Sequence, residues 1–279
     1  MPSRNSPTLR RDPAQPGPDA GLRGAWVDVV DVSHEFDTKL GARVAMSEVS
    51  MHVAPGEFVS IVGPSGCGKS TLLSIVAGFQ TPSMGHAFID GAVIAGPGAE
   101  RGMVFQQHRL FPWMSVRSNV EFGPKMAGVA ARERGQITDE VLELVGLSDV
   151  AESHTYELSG GMQQRAAIAR ALAAQPKVLL MDEPFSALDA LTRERMQDEV
   201  LRIWERTGVT VLFVTHSVDE AVYVGTRVIA MKAHPGRIIL DTPTPFAQAQ
   251  GIEHRRRQPS FVTMRDELTE LLRTTAFED

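Results

Sequence analysis

Residues Gly63-Pro64-Ser65-Gly66-Cys67-Gly68-Lys69-Ser70-Thr71 constrain this chain more than any other stretch. They fit the pattern G-x-x-x-x-G-K-[S/T] and follow directly on the apolar run Phe58-Val59-Ser60-Ile61-Val62. That run reads as a buried strand, and Thr71 to Ala77 behind the loop reads as a helix. A strand that delivers the chain to a glycine-rich turn lets backbone N–H groups converge on phosphate oxygens, and the next helix points its positive end at them. The segment is therefore expected to bind a nucleoside triphosphate, with Lys69 reaching the β- and γ-phosphates and Ser70 offering a hydroxyl to Mg2+. Cys67 lies at the same helix N-terminus beside Lys69, an arrangement that favours the thiolate. Ready alkylation, blocked by bound nucleotide, is expected of it.

Four further segments carry chemistry. Leu158-Ser159-Gly160-Gly161-Met162-Gln163-Gln164-Arg165 opens the helical run Ala166 to Ala174. Ser159 is a natural N-cap, and the glycines behind it leave the first N–H groups uncovered, which suits a second anion. Val178 to Met181 is an unbroken apolar run that ends in Asp182-Glu183-Pro184. It reads as a central parallel strand with its acids at the carboxyl end, where open α/β sheets place ligands. Thr210 to Thr215 is another such strand, and it ends in His216. Of eight histidines this one alone sits where the fold would place chemistry, and the others show no metal-ligand spacing. Ser217 and Glu220 have the spacing of a capping box for the helix that follows. Met103-Val104-Phe105-Gln106 reads as a short strand ending in an amide.

In this order the segments resemble the motifs of the ATP-binding cassette (ABC) family, and the resemblance covers roughly Val27 to Leu272. It implies an α/β fold: a P-loop NTPase core, with a mixed, mainly parallel sheet and an N-terminal antiparallel β region, plus an inserted α-helical subdomain. It also implies that Leu158, Ser159, Gly160, Gly161 and Met162 form a signature that closes on the ATP held by a second copy, in a head-to-tail dimer. Asp182 would hold Mg2+ and Glu183 would be the base that polarises the attacking water. Ser186-Ala187-Leu188-Asp189 resembles the loop along the dimer seam. His216 resembles the switch residue that contacts the γ-phosphate and Glu183. Gln106 would sit beside Mg2+ and start the hinge to the helical subdomain. Phe36 stands where the family puts an aromatic on adenine, just before a hairpin connection, Asp37 to Arg43, longer than expected. His108 to Val116 with Asn119-Val120, Phe185 to Arg193 and His234 to Ile238 are similar to the ATPase subunits of bacterial importers for nitrate, sulfonates and taurine. Exposed Phe111, Pro112 and Trp113 suit a dock for a permease helix. Met162 departs from the glutamine usual at the fifth signature position, which implies slower or differently tuned hydrolysis at most.

Composition narrows the alternatives. With 279 residues, 43% hydrophobic and 22% charged, the chain can bury a large core. A net charge of -6 argues against a nucleic-acid partner, and a single cysteine excludes an internal disulfide and fits a reducing compartment. The run from Ser70 up to Asp90 lacks charge but is broken by Gly78, Pro82 and Gly85, so no membrane span is expected. Whatever crosses the membrane must be another chain, and the resemblance implies integral membrane permease subunits as partners and, indirectly, a periplasmic solute-binding protein.

Residues 1–24, rich in Pro and Arg, read as a disordered arm without the apolar core of a secretory signal. The cassette is expected over 25–272, with its helical subdomain at about 107–175, and 273–279 as a tail. The expected location is cytoplasmic, peripheral on the inner face of the cell membrane. Arg255, Arg256 and Arg257 read as a solvated face. A soluble cassette protein acting on DNA or ribosomes would need paired cassettes or a coiled-coil insertion. A phosphate-loop kinase would have no use for Leu158 to Gln163. An importer of another small solute shares every motif.

Overall fold

The computed structural model describes residues 24–38, 41–244 and 252–275. All of the expected arm except Gly24, and residues 276–279 of the expected tail, lie outside the described residues. Two sheets organise the chain. The first is antiparallel, β2-β1-β4-β5, from β1 (Val27–Thr38), β2 (Gly41–Val53), β4 (Met84–Ile89) and β5 (Ala92–Val93). The second has the order β10-β9-β3-β8-β7-β6, built from β3 (Phe58–Val62), β6 (Arg101–Val104), β7 (Val178–Asp182), β8 (Thr210–Thr215), β9 (Arg227–Lys232) and β10 (Arg237–Pro243). It is parallel except for the last hairpin.

The apolar runs of β3, β7 and β8 fold as central strands because they supply two cores at once, with period two. Phe58, Leu179, Met181, Val211 and Phe213 face one core, which holds the later helices. Val59, Ile61, Val178, Leu180, Leu212 and Val214 face the other, shared with α1 (Lys69–Ala77) and the antiparallel sheet. Between β6 and β7 stand α2 (Val116–Met126), α3 (Ala131–Leu144) and α4 (Gly160–Ala173), in the span read as helical. After β7 come α5 (Ala190–Thr207), α6 (Val218–Val224) and α7 (Pro259–Thr275). Among the described residues no helix is long and apolar enough to cross a membrane.

Two expectations need correction. The β1/β2 hairpin is not joined by a long connection: the strands pair through Phe36 opposite Arg43 and on to Thr38 opposite Gly41, whose φ of 113° only glycine adopts freely. Of the Arg255–Arg257 knot, expected as a solvated face, only Arg257 is exposed. Arg255 is 2% exposed and donates to the Tyr223 carbonyl at 3.0 Å. Arg256 lies over the Tyr223 ring at 4.1 Å and pairs with Glu194 and Asp219. Both are drawn inward because Phe261, Met264 and Leu268 of α7 pack into the core and carry the preceding residues with them.

Candidate functional site

The phosphate loop leaves β3 in the middle of the parallel sheet and bends tightly into α1. Gly66 and Gly68 take φ of 82° and 90°, and Gly68 caps the helix with no side chain of its own. A Cβ on Gly63 would come within 2.4 Å of the Met231 carbonyl oxygen, so only glycine lets the loop start so close to β9. Lys69 is 5% exposed, and its Nζ donates to the carbonyls of Gly63 at 2.8 Å and Pro64 at 3.0 Å. A buried ammonium wrapped in backbone oxygens is held at the loop's centre.

The loop opens on a cleft of about 350 Å³ lined by Phe36, Arg43, Ala45, Ser65, Gly66, Gly68, Lys69, Ser70, Thr71 and Glu183. Gly63, Pro64 and Cys67 frame the loop without lining the cleft. The expectation for Cys67 is overturned: the residue is fully buried, and burial pushes its thiol up despite Lys69. Backbone of Met231 and Gly236 packs against this part of the loop.

Of the two acids at the end of β7, Glu183 lines the cleft and Asp182 meets it through Ser70. Asp182 accepts a hydrogen bond from Ser70 Oγ at 2.9 Å. Burial raises its carboxyl above the usual range, the Ser70 bond opposes that, and Glu183 adds to it. Glu183 adopts φ of 45°, rare and costly for a residue with a side chain. Its N–H donates to the Val214 carbonyl at 2.9 Å. That tie aims the carboxylate at the cleft, where Oε2 lies 3.1 Å from Nδ1 of the exposed His216. Gln106 is exposed just beyond β6 and lines no part of the cleft.

The signature residues stand elsewhere. Leu158 is buried in the core, whereas Ser159 and Gly160 are exposed and Gly161 and Met162 are partly so. Ser159 caps α4, accepting from the Met162 N–H at 3.4 Å. None of the five lines this chain's cleft. Gly160 and Gly161 pack beside Leu188 and Thr192, on either side of Asp189, which is exposed and caps α5 by accepting from the Thr192 N–H at 3.0 Å. That bond holds the Asp189 carboxyl below the usual range. Trp113 is 70% exposed, with Phe111 5.5 Å from it. Buried Asn119 shapes their loop: it accepts from the Phe111 N–H at 2.8 Å and donates to the carbonyls of Phe111 and Ser115.

Residues 46–186 match the family model described as ABC transporter. The chain is 52% identical over 222 residues to the taurine import ATP-binding protein TauB of Ruegeria pomeroyi, covering 79% of this chain and 83% of that one. It is 46% identical over 261 residues to the nitrate import ATP-binding protein NrtD of Synechocystis sp., covering 91% and 97%. This chain belongs to the ABC transporter family. Its fold is that of solved ABC cassettes: a dimeric post-hydrolysis structure of the cassette MJ0796 bound to ADP and Pi aligns with a TM-score of 0.68 at 33% identity, covering 78% of this chain and 98% of that one. As an ABC cassette the chain is an ATPase coupled to transport, and ATP is its nucleotide.

Within this cassette, the sequence reading missed Arg43 and Ala45 as cleft residues. The available signal was the hairpin: with Thr38 opposite Gly41, register alone sets Arg43 opposite Phe36.

Proposed function

We propose that this cassette energises the import of a small anionic solute of the taurine, sulfonate or nitrate type, working as a head-to-tail pair beneath a separate permease on the inner face of the cell membrane. A periplasmic binding protein delivers the solute. The names of the two relatives and the Phe111-Pro112-Trp113 stretch support the solute class. The absence of signature residues from this chain's own cleft supports the pair.

Phosphate oxygens of ATP lie against the loop N–H groups and Lys69, Arg43 adds a second cation, and Phe36 takes the adenine face. Ser70 and Asp182 present two hard oxygen donors joined by one hydrogen bond at a strand end, a donor set that fits Mg2+ with phosphate and water completing its shell. When bound, the ion neutralises charge on the phosphates. Glu183 orients the attacking water and takes its proton, while His216 fixes the carboxylate from its far side and faces the γ-phosphate. Gln106 reports the state of the site to the helical subdomain, and Ser159 to Met162 close on the second copy's nucleotide across a seam lined by Asp189.

The observation that carries this reading is the placement of Glu183 in the cleft, with His216 at 3.1 Å and Asp182, bonded to Ser70, directly before it in the chain. Glu183→Gln is expected to keep ATP binding and lower turnover by about a hundredfold or more, measured as steady-state phosphate release. Turnover within about threefold of the parent would remove Glu183 from the role. In cells carrying the complete system, the same variant is expected to abolish uptake of labelled taurine or nitrate.

A further inference from the structure

Glu220 does not complete the capping box expected with Ser217. Ser217 accepts from the Glu220 N–H at 3.3 Å, but the Ser217 N–H donates to Thr215 Oγ1 at 3.0 Å instead of to the Glu220 carboxylate. That carboxylate, on a residue 7% exposed, accepts from Thr215 Oγ1 at 2.6 Å through Oε2. Both residues that flank His216 are thus held by one Thr215–Glu220 link.

The other oxygen, Oε1, lies 3.5 Å from Nε of Arg193 on the first turn of α5. Arg193 in turn donates through Nη2 to the Leu188 carbonyl at 2.9 Å, in the loop that ends at Asp189. A carboxylate this deep keeps its charge only with partners. Burial pushes Glu220 up, and Thr215 and Arg193 pull it back. Its partners stand at the end of β8, next to His216, and on the first turn of α5, next to the Ser186–Asp189 loop.

We propose that Arg193 and Glu220 are positioning residues that bind the Ser186–Asp189 loop to His216, so that the placement of the seam loop sets the histidine and, through it, Glu183. The inference rests on the roles given above to His216, Glu183 and that loop. Contact with a second copy at the seam reaches this chain's own base through Arg193, Glu220, Thr215 and His216, without a change in the phosphate loop.

Arg256 supplies an internal control. It joins the same two helices through Glu194 at 3.2 Å and Asp219 at 3.5 Å, but these contacts involve neither Leu188 nor Thr215. A role limited to holding α5 against α6 would make the arginines equivalent.

The test uses the full chain with Mg-ATP and reads kcat, KM and Tm for Arg193→Gln, Glu220→Gln, their double variant, Arg193→Lys and Arg256→Ala. Misplacing a catalytic group is expected to lower kcat about tenfold in each single bridge variant, with KM within about twofold. The double variant is expected to be no slower than the worse single, because one bridge can be broken only once. Arg193→Lys, which keeps a cation beside Glu220, should recover part of the loss. Arg256→Ala should lower Tm at least as much while holding kcat within about twofold of the parent. The proposal is overturned if the bridge variants lose kcat only in step with Tm, as Arg256→Ala does, or if their effects multiply. Glu183→Gln, assayed alongside, separates the two levels. An inactive Glu183→Gln beside fully active bridge variants sinks the bridge alone, and an active Glu183→Gln sinks both.

Discussion

The N-termini of α1 and α4 are both built to receive an anion, and they are finished in opposite ways. At α1 the cap is Gly68, with φ of 90° and no side-chain bond, and the ammonium behind it is buried. Backbone from both sheets leans on the loop: the Ala45 carbonyl oxygen lies 3.2 Å from where a Cβ on Gly68 would be, and the Met231 carbonyl oxygen stands closer still to Gly63, 2.4 Å from such a Cβ. At α4 the cap is Ser159, which bonds back to its own helix, and Ser159 and Gly160 are exposed. A Cβ on Gly160 would meet only the tip of Leu188, at an ordinary 3.5 Å. The first terminus is completed by its own chain, through strain and close approach that cost stability. The second is complete as a helix end and gains a ligand only when one is carried to it. Anion binding at α1 is therefore a property of one chain, and at α4 a property of two.

That contrast can be broken most sharply by removing each terminus in turn. Lys69→Ala should weaken ATP binding by a single chain about a hundredfold, since a charge-assisted set of hydrogen bonds disappears. Ser159→Arg should leave that affinity unchanged and stop turnover. Mixed in equal amounts, the two dead chains should regain roughly a quarter of the parent rate, because random pairing makes half the dimers mixed and each mixed dimer keeps one intact site of two. Phosphate release that stays at the level of the separate variants, with pairing confirmed by sedimentation, would place both termini on the same nucleotide.

A smaller effect separates the glycines. Gly68→Ala forces a side chain into a left-handed conformation and should cost about 1–2 kcal/mol in urea unfolding. Gly160→Ala should stay within about 0.5 kcal/mol of the parent. Lost turnover in Gly160→Ala would then belong to the approach of a second chain; a stability loss equal to that of Gly68→Ala would erase the distinction between the two ends.

The smallest effect concerns Cys67. Because burial raises its thiol and covers its sulfur, a maleimide should label the folded chain far more slowly than the urea-unfolded one. Labelling should quicken as pH rises beyond the ordinary thiol range, where the thiolate finally forms. Rapid labelling of the folded chain at neutral pH would mean that the α1 terminus is open, like that of α4.

What could be read without coordinates was whatever is local. A five-residue apolar run, a glycine-lysine turn and an acid pair at a strand end each specify themselves, so β3, β7, β8 and the residues at their carboxyl ends stand where periodicity places them. Misreadings arose where one segment borrows its environment from another distant in the chain. Cys67 was taken for a thiolate because Lys69 is two residues away, but the wall that buries it comes from residues near 231 and 236. Arg255 and Arg256 looked like surface charge because their acceptors lie on α5 and α6. Glu220 has the spacing of a capping residue, and only the arrival of Arg193 and the geometry of Thr215 turn its carboxylate elsewhere. The first turns of α3, from Ala131, give no periodic signal because they are charged and lack an apolar stripe, with Arg134 tied to Glu121 instead.

The turn before β10 presses on the phosphate loop more closely than any side chain could. A Cβ on Gly236 would stand 2.1 Å from the Cys67 carbonyl oxygen, and the backbone of Gly236 bonds to Ala45 at 3.0 Å and to Ser47 at 2.9 Å. The nucleotide pocket, whose signature pattern is finished by residue 71, thus has its rear wall supplied about 165 residues later in the chain. On the ribosome, where chains grow from the N-terminus at about 5–20 residues per second, the loop is made long before its support exists. A chain stalled before the last hairpin is therefore expected to carry the full motif without the wall that braces it.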